Sequence, residues 1–455
     1  MFHKLKPFVL NEEKKSIVVS KNQENPLVKE VVAALGFELN EAKEALTTLY
    51  SLGKIKAHKV VFVDEEKIFD EEFSLPHLFG LKEDVVVLLD SFNKENISLL
   101  FEKMTTAMYR FNKFKSKDDE DVSNVYYAHE TDLESDIHEG IVYGEAINHT
   151  KQLVNTPYNY LNAYKLADYA KTLGDLEGVE VTVYDKKACE DMNMGAFLGV
   201  NKGSKDEPQL IHIRYQGNKN TNDITALIGK GVMYDTGGYS LKTTTGMPNM
   251  KCDMAGAATV LGAIEIIARL KYNHNVDVVI AATDNRIGDD AIVPDDILTA
   301  ANGTTIEIVS TDAEGRLTLA DALWFAQKEG ATSMIDIATL TGAVVGALGK
   351  EFTGIFTNNQ EFLTRFQSVT EETKERVWQL PITKNYFKEL KSYAADVKNS
   401  AGRGLAGASV AAAFLNHFVD ENIPWIHLDI AGTSFENKTG ATGVMVKSLA
   451  SYFKK

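Results

Sequence analysis

Cysteine is nearly absent: Cys189 and Cys252 are the only two among 455 residues. Two thiols build no disulfide framework, and no CxxC pair offers a zinc knuckle. Histidine is sparse, at ten residues, and no HExxH string occurs, which excludes the helical two-histidine zinc site. A GxxxxGK[ST] phosphate loop is missing too. No apolar run reaches the roughly 18 residues of a membrane span. Met1-Phe2-His3-Lys4-Leu5-Lys6-Pro7 lacks the apolar core of a signal peptide, so the expectation is a soluble, cytoplasmic protein. Basic charge is in deficit: 48 Lys and Arg against 64 Asp and Glu give −16. That excess disfavours non-specific binding to nucleic acid or anionic membrane, and neither is an expected partner.

What remains is ordinary globular composition, 44% apolar and 25% charged, in a chain long enough for two or three domains. The first third alternates short β-branched runs (Ser16 to Val19, Val60 to Val63, Val85 to Leu89) with helix-length stretches such as Asn40 to Leu52. This reads as a small α/β domain, 1–135, without a catalytic cluster. The charged run Lys113 to Asp121 reads as a solvated hairpin loop. Ile137, Ile141, Gly144 and Ile147 recur at helical spacing, giving a linking helix at 136–154. From 155 to 455 a longer series follows. Its strands are Val179 to Tyr184, Leu210 to Arg214, Thr225 to Gly229, Val276 to Ala282, Ile306 to Val309, Met334 to Ala338 and Ile426 to Ile430. Its helices are Ala255 to Lys271, Leu317 to Lys328 and Ser409 to Val419. Near-continuous apolar strands between helices indicate a central, mostly parallel sheet flanked by helices. Ligands gather at the carboxyl ends of such strands. Trp324, Trp378 and Trp425 are expected in the core.

Three segments carry chemistry. In Ser310-Thr311-Asp312-Ala313-Glu314-Gly315-Arg316 the charged residues fall at every second position. On an extended chain they would project together, and like charges side by side ask for a cation between them. Gly229-Lys230-Gly231-Val232-Met233-Tyr234-Asp235-Thr236-Gly237-Gly238-Tyr239-Ser240-Leu241-Lys242 leaves a strand and turns on two glycines, with lysines flanking Asp235. Asp253 stands where a helix begins, which a plain N-cap would also explain. Together Asp235, Asp253, Asp312 and Glu314 are more carboxylate than one divalent ion usually collects, and suit two. Oxygen donors leave the metal's identity open.

These strings resemble those of the leucyl (cytosol) aminopeptidase family, the M17 group of dinuclear metallo-exopeptidases. The resemblance runs in order from Asn155-Thr156-Pro157 through Gly199 to Ser204, Asp284-Asn285, Pro294-Asp295-Asp296 and Ala338 to Ala343 to Trp425 to Gly432. It implies a metal-dependent aminopeptidase that releases leucine-type residues from short peptides. The implied metal ligands are Lys230, Asp235, Asp253, Asp312 and Glu314, with Asp235 and Glu314 bridging two ions, zinc or manganese, with magnesium or cobalt as alternatives. Lys242 and Arg316 are the implied catalytic residues, the latter holding a bicarbonate. Asp253, Lys242, Met250, Thr339, Leu340, Gly342 and Ala441 would surround the substrate, and the assembly would be a homohexamer. Ser310 stands where the family's octapeptide usually has Asn, Thr236 where Ser is usual, and Tyr234 where Phe is common. No ligand is lost. Two other readings are an added DNA-binding or regulatory role, and a dinuclear phosphoesterase in which Lys242 and Arg316 hold a phosphate.

Overall fold

The computed structural model describes residues 2–5, 8–36, 46–68, 84–116, 124–401 and 405–454. The chain divides into two compact units, Met1–Asn148 and His149–Lys455. The helix Glu134–Asn155 runs across that division in sequence.

The first unit holds a sheet of β1 (Phe2–Lys4), β2 (Ser16–Ser20), β3 (Leu46–Tyr50), β4 (Lys59–Val63), β5 (Val85–Leu88) and β6 (Val125–Ala128). Their order is β1-β6-β5-β2-β4-β3, parallel except where β3 meets β4. β2, β4 and β5 are buried along their whole length, as their unbroken apolar runs require. The expected helix from Asn40 to Leu52 is not what forms over its second half. Leu46-Thr47-Thr48-Leu49-Tyr50 is an antiparallel edge strand, because β-branched and aromatic residues fit a half-exposed pleat better than a helix. Residues 40–45 of that expectation lie outside the described residues, as does most of the Lys113 to Asp121 run.

The second unit is built on eight strands ordered β15-β14-β17-β13-β9-β10-β8-β7. These are β7 (Val179–Tyr184), β8 (Gln209–Gln216), β9 (Thr225–Asp235), β10 (Asn275–Asn285), β13 (Ser333–Ala338), β14 (Thr353–Thr357), β15 (Val377–Gln379) and β17 (Trp425–Asp429). The central four, β17, β13, β9 and β10, are mutually parallel, and their carboxyl ends therefore open on one edge. A separate small sheet holds β11 (Ile297–Thr299), β12 (Thr305–Glu307) and β16 (Val397–Lys398) in the order β11-β12-β16. Helices cover both faces. Ile228 joins Leu317, Ala320 and Leu323 of the helix Gly315–Lys328 in one core. Gly229, pointing the other way, abuts Ala257 of the helix Ala255–Arg269. Trp425 is fully buried, but Trp378 on the edge strand is 58% exposed and not part of the core.

One irregularity matters for the site. Val232 pairs with Thr283 and Asp235 with Asn285, so β9 takes three steps where β10 takes two. Lys230 and Asp235 are five positions apart, and strict alternation would put them on opposite faces. The extra residue of this bulge reverses the phase and returns Asp235 to the face of Lys230.

Candidate metal centre

Asp235 ends β9, Thr339 follows β13 and Asn285 ends β10, so all three meet at the carboxyl edge of the parallel strands. Asp312 and Glu314 arrive from the turn between β12 and the helix Gly315–Lys328. Carboxylate oxygens of Asp235, Asp312 and Glu314 lie within 4.8 Å of one another. Asp253 joins them through Lys230, whose Nζ is 2.8 Å from Asp253 Oδ2 and 2.9 Å from Glu314 Oε1. Lys230 also donates to the carbonyl of Thr339 at 2.9 Å, and the Thr339 hydroxyl donates to Asp253 Oδ1 at 2.8 Å. Lys242 Nζ sits 2.6 Å from Asp235 Oδ2.

The cluster is far from electrostatic balance. Burial pushes the Asp235 carboxyl up and neighbouring Glu314 adds to this. Burial likewise raises Asp253 well above the usual carboxylate range, and burial with Asp235 raises Asp312. Burial alone would depress the Lys230 ammonium, but Asp253, Glu314 and Asp235 raise it further than burial lowers it. Lys242 behaves the same way beside Asp235 and Glu314. Glu314 Oε2 is buried without a hydrogen-bond partner, while both Asp253 oxygens lie 2.8 Å from Lys230 Nζ. Four crowded carboxylates, one with an orphaned oxygen, and an inward lysine amine fit divalent cations, whose charge offsets the crowding.

Local sequence explains the placement. Gly237 and Gly238 have φ of 84° and 61°, a left-handed pair that glycine adopts without strain. The Gly237 N–H and the Asn285 amide both donate to Asp235 Oδ1 at 2.8 Å, leaving Oδ2 for Lys242. Gly315 is required by contact: a Cβ there would lie 2.4 Å from Lys230 Cε. Thr236 keeps the hydroxyl that a serine would supply, donating to the Asn285 carbonyl at 2.8 Å and accepting from Gly238 N–H. Ser310 Oγ accepts from the Asp312 N–H at 3.3 Å. The Tyr234 hydroxyl donates to the Met247 carbonyl at 3.3 Å, and its ring lies 5.2 Å from the Arg286 guanidinium, which also covers Tyr158.

Two sequence expectations about local geometry give way. Asp312 lies in a turn and Glu314 has helical dihedrals, so the charged trio converges through a turn-to-helix junction and not by strand alternation. Asp253 does not cap the helix Ala255–Arg269. Met254 holds that position without a side-chain bond, while the Asp253 carboxylate is turned to Lys230 and Thr339.

Arg316 is buried, and burial pushes its guanidinium down to about 10 against the pull of Glu314 and Asp429. Its Nη1 donates to the Asn399 carbonyl at 2.7 Å, while Nε has no partner. A second group borders the lysine–carboxylate cluster. Met250 is partly exposed, not core-filling. Ala441 is buried, and its N–H donates to Asn155 Oδ1 at 2.9 Å; the Asn155 carbonyl accepts from Lys251. Asn155 thereby links the Met250 turn to the Ala441 hairpin. Leu340 N–H donates to Asp429 at 3.1 Å, and Gly342 faces open space. Asn155, Asn285, Asn399 and Asp429 received no role from sequence reasoning. Asn155, Asn285 and Asp429 lie in quoted motifs, and Asn399 carries no local signal.

The model of the cytosol aminopeptidase family's catalytic domain matches residues 148–450. A probable cytosol aminopeptidase of Bacillus licheniformis is 40% identical over 431 residues, covering 90% of this chain and 86% of the relative. The Bacillus subtilis counterpart is 41% identical over 421 residues, covering 88% and 84%. A solved mutant of tomato leucine aminopeptidase superposes with a TM-score of 0.87 at 27% identity, spanning all of this chain and 96% of that one.

Proposed function

From the chain's membership of the cytosol aminopeptidase family, which makes it a metal-dependent aminopeptidase, we propose that it releases apolar, leucine-type N-terminal residues from short peptides. Asp235, Asp253, Asp312 and Glu314 would hold two divalent ions, zinc or manganese, with magnesium or cobalt tolerated by the oxygen donors. Lys230 would join as an amine, which requires loss of its proton. When bound, the ions supply a water acidic enough to attack at neutral pH and polarise the scissile carbonyl.

The protein's own groups do the rest. Asp253 receives the free α-amine of the substrate, and an internal residue, offering only an amide nitrogen, is rejected there. That selection makes the enzyme an exopeptidase. Lys242, held cationic by Asp235, steadies the oxyanion of the tetrahedral intermediate. Arg316 keeps its proton, so it acts by holding an anion, bicarbonate, through the donors its Asn399 contact leaves over. Met250, Thr339 and Ala441 wall the side-chain pocket, with Leu340 and Gly342 at its border.

The observation that carries this reading is the convergence of three carboxylates within 4.8 Å beside two lysines. The test combines metal analysis with assays on aminoacyl anilides. Two equivalents of metal per chain and chelator-sensitive leucine release are expected. Undiminished release by Asp312→Ala, or in excess chelator, overturns it.

We further propose a homohexamer and a cytoplasmic location. Among the described residues no helix is long and apolar enough to cross a membrane. Light scattering should give six times the mass of one chain; a monomer contradicts the assembly.

A further inference from the structure

Asn399 has no exposed surface. It follows β16 directly and belongs to none of the segments that carry the acidic cluster. Its Oδ1 accepts from the N–H groups of Val309 at 2.8 Å and Ser310 at 3.3 Å. Its Nδ2 donates to the carbonyls of Ser310 at 2.7 Å and Ala313 at 3.4 Å. A primary amide has two donors and two acceptor sites, and here all four are used. They fall on both sides of Asp312. The backbone of the same residue is equally engaged: its N–H reaches the Glu307 carbonyl at 2.9 Å, and its carbonyl takes Arg316 Nη1 at 2.7 Å.

The turn is gripped from its other side as well. Asn285 Nδ2 donates to the Thr311 carbonyl at 2.9 Å and to Asp235, and the Thr311 hydroxyl donates to the Gly237 carbonyl at 2.6 Å. Asn285 therefore fixes the turn to β9. Asn399 fixes it to Arg316: its side chain bonds the backbone around Asp312 and its main-chain carbonyl accepts from that guanidinium.

We propose that Asn399 is a positioning residue for peptide hydrolysis, setting the Asp312 carboxylate and the Arg316 guanidinium in fixed register before metal or substrate binds. The proposal rests on the metal-ligand role given above to Asp312. A turn of alternating N–H and C=O groups can be held by an amide and by few other side chains. A carboxylate would lack the donors, and an aliphatic group would remove all four bonds, leaving the Ser310 carbonyl only its 3.3 Å bond from Ala313 N–H.

The test uses full-length Asn399→Ala and Asn399→Asp. Asn399→Asp keeps the acceptors and the shape and serves if the alanine variant does not fold. Asn275→Ala is the control. Asn275 is another buried amide that clamps a turn, accepting from Asn218 N–H at 3.0 Å and donating to the Thr221 carbonyl at 3.1 Å, outside the metal centre. Three quantities are read: thermal midpoint of the metal-free protein, equilibrium affinity for Mn²⁺, and kcat separately from KM on a leucyl anilide. All three variants should melt lower. Only the Asn399 variants should lose affinity for one Mn²⁺, the ion that Asp312 would hold, by about 10–100-fold as for other residues that orient metal ligands, with kcat falling and KM nearly constant. Asn399 variants that bind both ions as tightly as the parent while melting no differently from Asn275→Ala overturn the positioning role. Failure of the parent protein itself to bind Mn²⁺ or release leucine instead removes the proposed function.

Discussion

Lys242 bridges two carboxylates: its Nζ lies 2.6 Å from Asp235 Oδ2 and 2.5 Å from Asp312 Oδ1. One ammonium thus offsets the mutual repulsion of groups from two distant segments. Replacing it with the similarly long but neutral Met should separate charge from shape. Lys242→Met is expected to lower kcat by about 100- to 1,000-fold, the scale of losing one oxyanion donor. KM for a leucyl anilide should move far less. A variant that keeps its kcat would remove Lys242 from the chemistry.

Gly315 admits Lys230. The Cβ of alanine would stand 2.4 Å from Lys230 Cε and 2.6 Å from Nζ. Alanine is the better helix former by about 1 kcal/mol, so the helix Gly315–Lys328 has no intrinsic reason to fail. Gly315→Ala should therefore stay folded and, on the ligand role proposed for Lys230, lose one metal ion. Metal content after dialysis should drop from two equivalents to one; two retained equivalents would count against the ligand role.

Stability toward acid should depend on Asp277 in β10. Burial would raise this carboxyl, but hydrogen bonds from His212 and Arg214 more than offset it and leave it below its ordinary value. The folded chain then binds this proton more weakly than the unfolded chain. The stabilisation is complete above the ordinary carboxylate pKa of about 4 and is lost as pH falls through the lower folded value. At neutral pH Asp277→Asn should cost about 1.5–3 kcal/mol, as for hydrogen bonds to a charged group. Urea titrations across the acid range should show the gap closing below that pKa. A constant gap would mean that the carboxylate's charge is not what matters.

Metal should stabilise the fold as well as activate it. Asp235 and Asp253 are buried, with proton affinities raised by burial, so a bound cation relieves a cost present in the empty cluster. At a free concentration 100 times Kd, a ligand specific to the folded state adds about 2.7 kcal/mol. Calorimetric scans with Mn²⁺ and with chelator should differ by several degrees, and coincident scans would argue against binding at this cluster.

Much of this was legible beforehand. Val179–Tyr184 forms as read, and the buried strands of the parallel sheet announce themselves as unbroken apolar runs. β9 reads as ending at Gly229 because Lys230 and Tyr234-Asp235 interrupt the apolar pattern, yet it continues to Asp235. Polar residues persist there because the cluster, not the core, surrounds them. The acidic residues themselves stand out by type and crowding. The asparagines do not. Asn399 meets backbone atoms some ninety positions away, and an amide bonding to main chain leaves no pattern of residue types to read.

The bulge in β9 has a consequence for how this strand tolerates change. Facing is a matter of parity: the count of residues between Lys230 and Asp235 decides which side of the sheet the carboxylate serves. A side-chain replacement at Met233 or Tyr234 alters a contact and preserves that count. Loss of a single codon there would send Asp235 to the wrong surface with every neighbouring amino acid unaltered in kind. Length, more than spelling, is what this stretch of the gene must keep.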